Sequence, residues 1–194
     1  MAVLIGCSSP ASVEVRPNPL VLDGKDAKGK LEAVIFDENG KQLTEGYDVT
    51  WLCVDPATAK VQQDGTVEPQ KSGKTLVDVE IVGTEIHGSG AIEVIIPSYV
   101  EVSAESLDLV AGQPGPTVWA DVRNDAGFPI QNYLPAWKVD NPAIVAIEQS
   151  NDPSKGRAFL ELKPLAAGET YLTASYKELA SDIRVVVSPP VAGK

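Results

Sequence analysis

The sequence is poor in the residues most enzymes use for chemistry: one histidine, two cysteines and one methionine among 194 residues. His87, in "TEIHGSG", has Ser89 close by but no G-x-S-x-G elbow around it, so no hydrolytic triad can be assembled on recognisable spacing. His87 reads instead as a solvated turn residue. The same shortage excludes the usual Cys/His spacings of a zinc site. No run of about 18 apolar residues occurs, which excludes a membrane-spanning helix. Asn-x-Ser/Thr acceptors, glycine-rich phosphate loops and basic residues interleaved with aromatics are also missing. Basic side chains number 16 against 27 acidic ones, a net charge of −11. Acids outnumber bases in both halves, which opposes binding to phosphate backbones, so nucleic acid is excluded as a partner. No catalytic residue, cofactor or metal is expected.

What remains is a folding chain, with 43% hydrophobic residues, 16 Gly and 15 Pro. No long stretch repeats apolar residues at helical spacing, while Val, Ile and Thr are spread evenly, which favours short strands joined by turns. Self-comparison then fixes the organisation. Val13-Glu14-Val15, followed by Leu20 and Leu22, recurs as Val100-Glu101-Val102, followed by Leu107 and Leu109. Ala33, Ile35 and Gly40 map onto Ala120, Val122 and Gly127, and the turn "DENG" maps onto "NDAG". Trp51 aligns with Trp137, and "DPA" at 55–57 with "NPA" at 141–143. The second copy gains residues around "QSNDPSKG", which places an insertion in a loop, where added length costs little.

Each copy reads as about seven short strands of alternating polarity, a pattern that predicts an all-β chain of two tandem immunoglobulin-like β-sandwiches. In the first copy the strands are expected near 13–22, 31–37, 48–54, 59–62, 66–68, 74–82 and 90–96. Asn39-Gly40 suits a tight hairpin, and Gly88-Ser89-Gly90 could serve as another. Alternation puts Trp51 with Cys53, and Trp137 with Val139, on the core face. Truncating either core indole to Ala is expected to cost about 3–5 kcal/mol. The boundaries that follow are 1–11 for an anchor and tether, 12–97 and 98–189 for the two domains, and 190–194 for a tail. The connection 96–99 is too short for a flexible tether, and Pro97 stiffens it.

The opening "VEV", the "L-x-L", the "A-x-[IV]" strand leading to "D/N-x-x-G", the Trp followed by "D/N-P-A", Gly73 and Gly168, and the closing "EVIIP" or "RVVVSP" together resemble bacterial immunoglobulin-like domains of group 2. The resemblance covers nearly all of 12–189. It implies surface adhesins, envelope lipoproteins or appended domains of phage virion proteins, and it carries no catalytic residue.

Leu4-Ile5-Gly6-Cys7 resembles a bacterial lipobox, in which a small residue precedes a cysteine that receives a diacylglyceryl group. Six residues precede Cys7, fewer than a basic region plus about 7–15 apolar residues, as a clipped leader would leave. Ser8 after the cysteine implies, by the same resemblance, sorting to the outer membrane. The alternatives are a disulfide between Cys7 and Cys53, or two incidental thiols with Cys53 as an apolar filler.

The function expected is that of a non-enzymatic, lipid-anchored envelope module that spaces or adheres. An edge strand or the inserted loop 149–156 would meet a protein or glycan partner, with Ser150, Asn151, Asp152 and Lys155 as the candidate residues. The rivals are a virion structural module without lipid and a carbohydrate-binding module that would align Trp119, Tyr133 and Tyr171 on one face. "DENG" and "SNDPS" have calcium-like acidity but lack the ligand spacing, so both are read as turns or loops.

Overall fold

The computed structural model describes residues 9–190. The chain divides into two compact units, Met1–Ile96 and Pro97–Lys194.

The first unit runs through β1 (Pro10–Arg16), β2 (Leu20–Asp23), β3 (Gly29–Lys30), β4 (Glu32–Asp37), β5 (Gln42–Leu43), β6 (Val49–Cys53), β7 (Ala59–Val61), β8 (Thr66–Pro69), β9 (Gly73–Ile81) and β10 (His87–Ile95). One face of the sandwich is built from β1-β4-β5 and the short sheet β3-β8-β7, and the other from β2-β10-β9-β6. Strict alternation makes the partition: Val77, Val79 and Ile81 in β9 are fully buried while Asp78 and Glu80 point outward. Val13, Val15, Leu22, Leu31, Val67, Ile92 and Trp51 are among the other residues of the core.

Two expectations for this unit are corrected. The single strand expected at 13–22 is two, because Pro17 and Pro19 offer no N–H to continue the ladder. β1 pairs antiparallel with β4, and the chain then crosses to the other sheet, where β2 pairs parallel with β10. Gly88-Ser89-Gly90 is not a turn but part of β10, and the turn lies just before it at 82–86. These glycines are required by the close approach of β1. A Cβ on Gly88 would lie 2.4 Å from the Val13 carbonyl oxygen, and one on Gly90 2.6 Å from Val15 Cγ1.

The second unit repeats this topology with β11 (Pro97–Val102), β12 (Ser106–Val110), β13 (Thr117–Asn124), β14 (Ala136–Val139), β15 (Val145–Asp152), β16 (Arg157–Pro164), β17 (Gly168–Tyr176) and β18 (Leu179–Ser188). Its sheets are β11-β13-β16-β15 and β12-β18-β17-β14, with β12 parallel to β18 as β2 is to β10. Val122, Val145, Leu160, Leu172, Ile183 and Val185 are fully buried, and Trp137 is 9% exposed. Ser98 and Tyr99, expected in a linker, belong to β11.

The units differ most at one hairpin. β7 and β8 span 59–69, whereas β15 and β16 span 145–164. The insertion expected as a loop therefore lengthens both strands: Ser150, Asn151 and Asp152 pair with Phe159, Ala158 and Arg157. Residues 153–156 leave the ladder, as one 3-10 turn over Pro153–Lys155 ended by Gly156 with φ 64°. The polar composition misled because this part of β15 is exposed on both sides, yet backbone pairing does not depend on side-chain polarity.

Candidate functional site

Of the residues singled out from sequence, Cys7 lies outside the described residues. Cys53 is a free thiol packed against the first core, donating to the Asp55 carbonyl oxygen at 3.4 Å. His87 opens β10 and is exposed. In "DENG", the Asp37 carboxylate accepts from the Asn39 and Lys41 N–H groups, both at 2.9 Å, which is the bonding of a turn. In "SNDPS", Asp152 accepts from the Ser154 hydroxyl at 2.6 Å and forms an ion pair with Lys155 at 3.2 Å. The Ser154 hydroxyl and Lys155 hold the Asp152 carboxyl below its ordinary value. Among the described residues no group of three His, Cys, Asp or Glu side chains is placed to hold a metal ion. No described helix is long and apolar enough to cross a membrane.

The candidate glycan aromatics do not share a face. Trp119 lies on the outer side of β13, and Tyr171 on the outer side of β17 in the other sheet. Tyr133 instead meets Tyr176, their rings 5.3 Å apart.

A different cluster emerges around Trp119. In the register of the β11-β13-β16-β15 sheet, Glu101, Asp121, Arg157 and Asp152 form one cross-strand row on the outer face, with Trp119 and Phe159 beside it. Asp121 is fully buried although it points away from the core. Its carboxylate accepts from Arg157 Nη2 at 2.8 Å and Arg123 Nε at 3.0 Å. Arg123 also pairs with Glu101 and donates to the Gly127 carbonyl oxygen at 2.9 Å. Burial works against its charge, but the Asp121 hydrogen bond and the charges of Asp121 and Glu101 outweigh this and hold the Arg123 pKa up. The Arg157 guanidinium stacks over the Trp119 ring at 3.8 Å. Both oxygens of Asp121 are thus engaged, so the cluster ties neighbouring strands together rather than offering a carboxylate to a substrate.

The recurring "D/N-P-A" motif is likewise explained by folding. Asp55 accepts from the Ala57 N–H at 3.0 Å and the Thr58 hydroxyl at 2.7 Å, while its own N–H donates to Thr75 Oγ1 at 3.0 Å. Asn141 accepts from the Ala143 N–H at 3.1 Å and donates to Thr170 Oγ1 at 3.0 Å. Thr75 and Thr170 were not singled out from sequence. The signal was available, since each follows the repeated glycine, Gly73 or Gly168, by the same step.

No protein-family model and no curated protein matches the chain. Among solved structures, the D00-D0 domain of intimin aligns with a TM-score of 0.52 at 13% identity, covering 91% of this chain and 99% of that one. The InvD structure of Yersinia pseudotuberculosis aligns with a TM-score of 0.49 at 13% identity, over 94% of this chain and 60% of that one. The S-layer protein rSbsC(31-844) gives 0.47 at 19% identity, over 96% of this chain, which spans 29% of the S-layer chain. Likeness at such identity speaks to fold alone, and of these three the intimin alignment, above a TM-score of 0.5, bears on it. The chain is a pair of immunoglobulin-like β-sandwiches.

Proposed function

We propose that the chain is a non-enzymatic structural or adhesion module of a bacterial cell envelope, of the group 2 immunoglobulin-like kind, anchored by lipid on Cys7. The observation that supports an interaction role best is the lengthened hairpin. β15 is an eight-residue edge strand whose Gln149, Ser150 and Asn151 are exposed. Edge strands offer unpaired backbone groups to a partner. Its charges are matched within the chain, Glu148 with Lys163 at 2.9 Å and Asp152 with Lys155, so a partner strand meets little uncompensated charge. A protein partner fits this edge better than a glycan, because the aromatics a glycan would need lie on different sheets.

Two experiments test the reading. Intact mass of the protein from its native source should show a diacylglyceryl-sized addition on Cys7, and Cys7→Ala should release the protein from membranes. An unmodified mass would remove the anchor. For the edge, S150K/N151K should abolish cross-linking to envelope proteins without changing the melting temperature. Undiminished cross-linking would remove β15 as the contact.

A further inference from the structure

The two units treat one position in opposite ways. In the first, the Leu31 N–H donates to the Gly65 carbonyl oxygen at 2.8 Å, and four residues further along Ile35, in β4, pairs with Leu43 in β5. Between these, the backbone of Ala33 faces Val15 across β1 but has no strand in register on its other side among the described residues. A cleft of about 380 Å³ opens there, with Leu31, Ala33, Ile35, Leu43 and Trp51 among its lining residues.

In the second unit the chain fills this position itself. Ala120, the counterpart of Ala33, pairs with the fully buried Ala158 in β16. The hairpin tip rests on Ile130, the counterpart of Leu43: a Cβ on Gly156 would lie 2.1 Å from the Ile130 carbonyl oxygen. The indole N–H of Trp137 donates to the Ala158 carbonyl oxygen at 3.5 Å. The matching indole, Trp51, lines the open cleft and has no acceptor for its N–H among the described residues.

We propose that the cleft of the first unit binds, as an added strand, an extended peptide segment of another protein that carries a cationic residue next to a small one. The segment would set a small residue opposite Ala33, as Ala158 stands opposite Ala120, and present a backbone carbonyl to Trp51. The rim sets the charge preference. Lys30 pairs with Asp64 at 3.7 Å, while Glu32 and Glu45 are exposed carboxylates without an ion pair among the described residues. A cationic flank, the role Arg157 plays beside Ala158, is therefore favoured. This goes beyond the envelope reading and stands without it, because strand addition needs neither the lipid nor a location.

The test titrates the full-length, isotope-labelled chain with the synthetic peptide GRAFLEL, the sequence of residues 156–162. Saturable shifts of the Ala33 amide and Trp51 indole N–H resonances are expected. Placing Glu at the alanine of the peptide should abolish them. E32K/E45K in the protein should weaken binding roughly tenfold, from two exposed charge contacts, with unchanged melting. The proposal is overturned if no shift occurs up to about 1 mM peptide, or if a scrambled peptide shifts the same resonances equally. It is equally overturned if the shifts appear with protein concentration alone, which would assign the cleft to a second copy.

Discussion

Asp121→Ala should destabilise the second unit selectively, and its cost can be worked from the contacts. The carboxylate is fully buried and holds Arg157 at 2.8 Å and Arg123 at 3.0 Å. Charge-assisted hydrogen bonds contribute about 1.5–3 kcal/mol each, and removing one member of a buried ion pair costs about 3–5 kcal/mol because the other is stranded. Here the stranded guanidinium side chains are 23% and 26% exposed, so each can turn partly to water. That discounts the loss to about 2–4 kcal/mol, or roughly 10–25 °C in the melting of a domain this size. The natural probe is Trp119, on which Arg157 stacks at 3.8 Å, so urea unfolding followed by tryptophan emission should show the second transition move while the first stays. Substituting the group as E101Q/D121V/R123F/R157L, with Val and Phe after Val34 and Phe36 of the first copy, should recover most of the loss, because the Glu101 carboxylate that pairs with Arg123 is neutralised as well and no charge is left behind. If Asp121→Ala fell within about 0.5 kcal/mol of the parent chain, the cluster would be surface decoration and the argument for it would fail.

Thr170→Val should cost about 1–2 kcal/mol by stranding the Asn141 N–H, and Thr75→Val the same at Asp55, each read by urea unfolding. Gly90→Val should prevent β1 from closing on β10, since even a Cβ there lies 2.6 Å from Val15 Cγ1; loss of dispersed amide resonances from the first unit would report it. The Thr58 hydroxyl and Ala57 N–H hold the Asp55 carboxyl below its ordinary 3.8. A depressed folded-state pKa adds stability above the unfolded value that disappears as pH falls through the folded one. Acid unfolding should therefore steepen below about pH 3.8, and Thr58→Val should raise the Asp55 midpoint in a carboxyl NMR titration.

Much of the architecture was legible because two independent signals agreed. The recurrence of Val13-Glu14-Val15 as Val100-Glu101-Val102 gave the duplication, and alternation around Val77, Val79 and Ile81 gave the buried face. Trp51 and Trp137 are 6% and 9% exposed, where the alternation placed them. What escaped reading had an ambiguous local signal. Glycine marks both turns and close backbone approach, and only the position of β1 distinguishes the two at Gly88 and Gly90. Asp121 on an outward strand position reads as solvated until Arg157 arrives from β16, a contact set by register and not by neighbouring sequence. The polar run at 149–156 suggested a loop, since alternation vanishes when both faces of a strand meet water.

That lengthened hairpin also makes the two units differ in a way hydrogen exchange can measure. Leu31 and Asp37 direct their N–H groups away from β1, to the Gly65 and Lys41 carbonyl oxygens at 2.8 and 3.0 Å. By the two-residue period of a strand, the Ala33 N–H points the same way, into the cleft. Its counterpart Ala120 faces Ala158 across a ladder running from Thr117 to Asp121, closed at its far end by the Ile130 N–H on the Val122 carbonyl oxygen at 2.9 Å. Exchange at Ala120 requires opening of that ladder, whereas exchange at Ala33 requires only water in the cleft. Ala33 should therefore exchange at least about a hundredfold faster than Ala120, which corresponds to roughly 2.7 kcal/mol of additional opening energy, and addition of GRAFLEL peptide should slow Ala33 alone. Equal protection in the free protein would mean that the Ala33 amide is already paired, and the contrast drawn between an open and a self-filled strand position would be wrong.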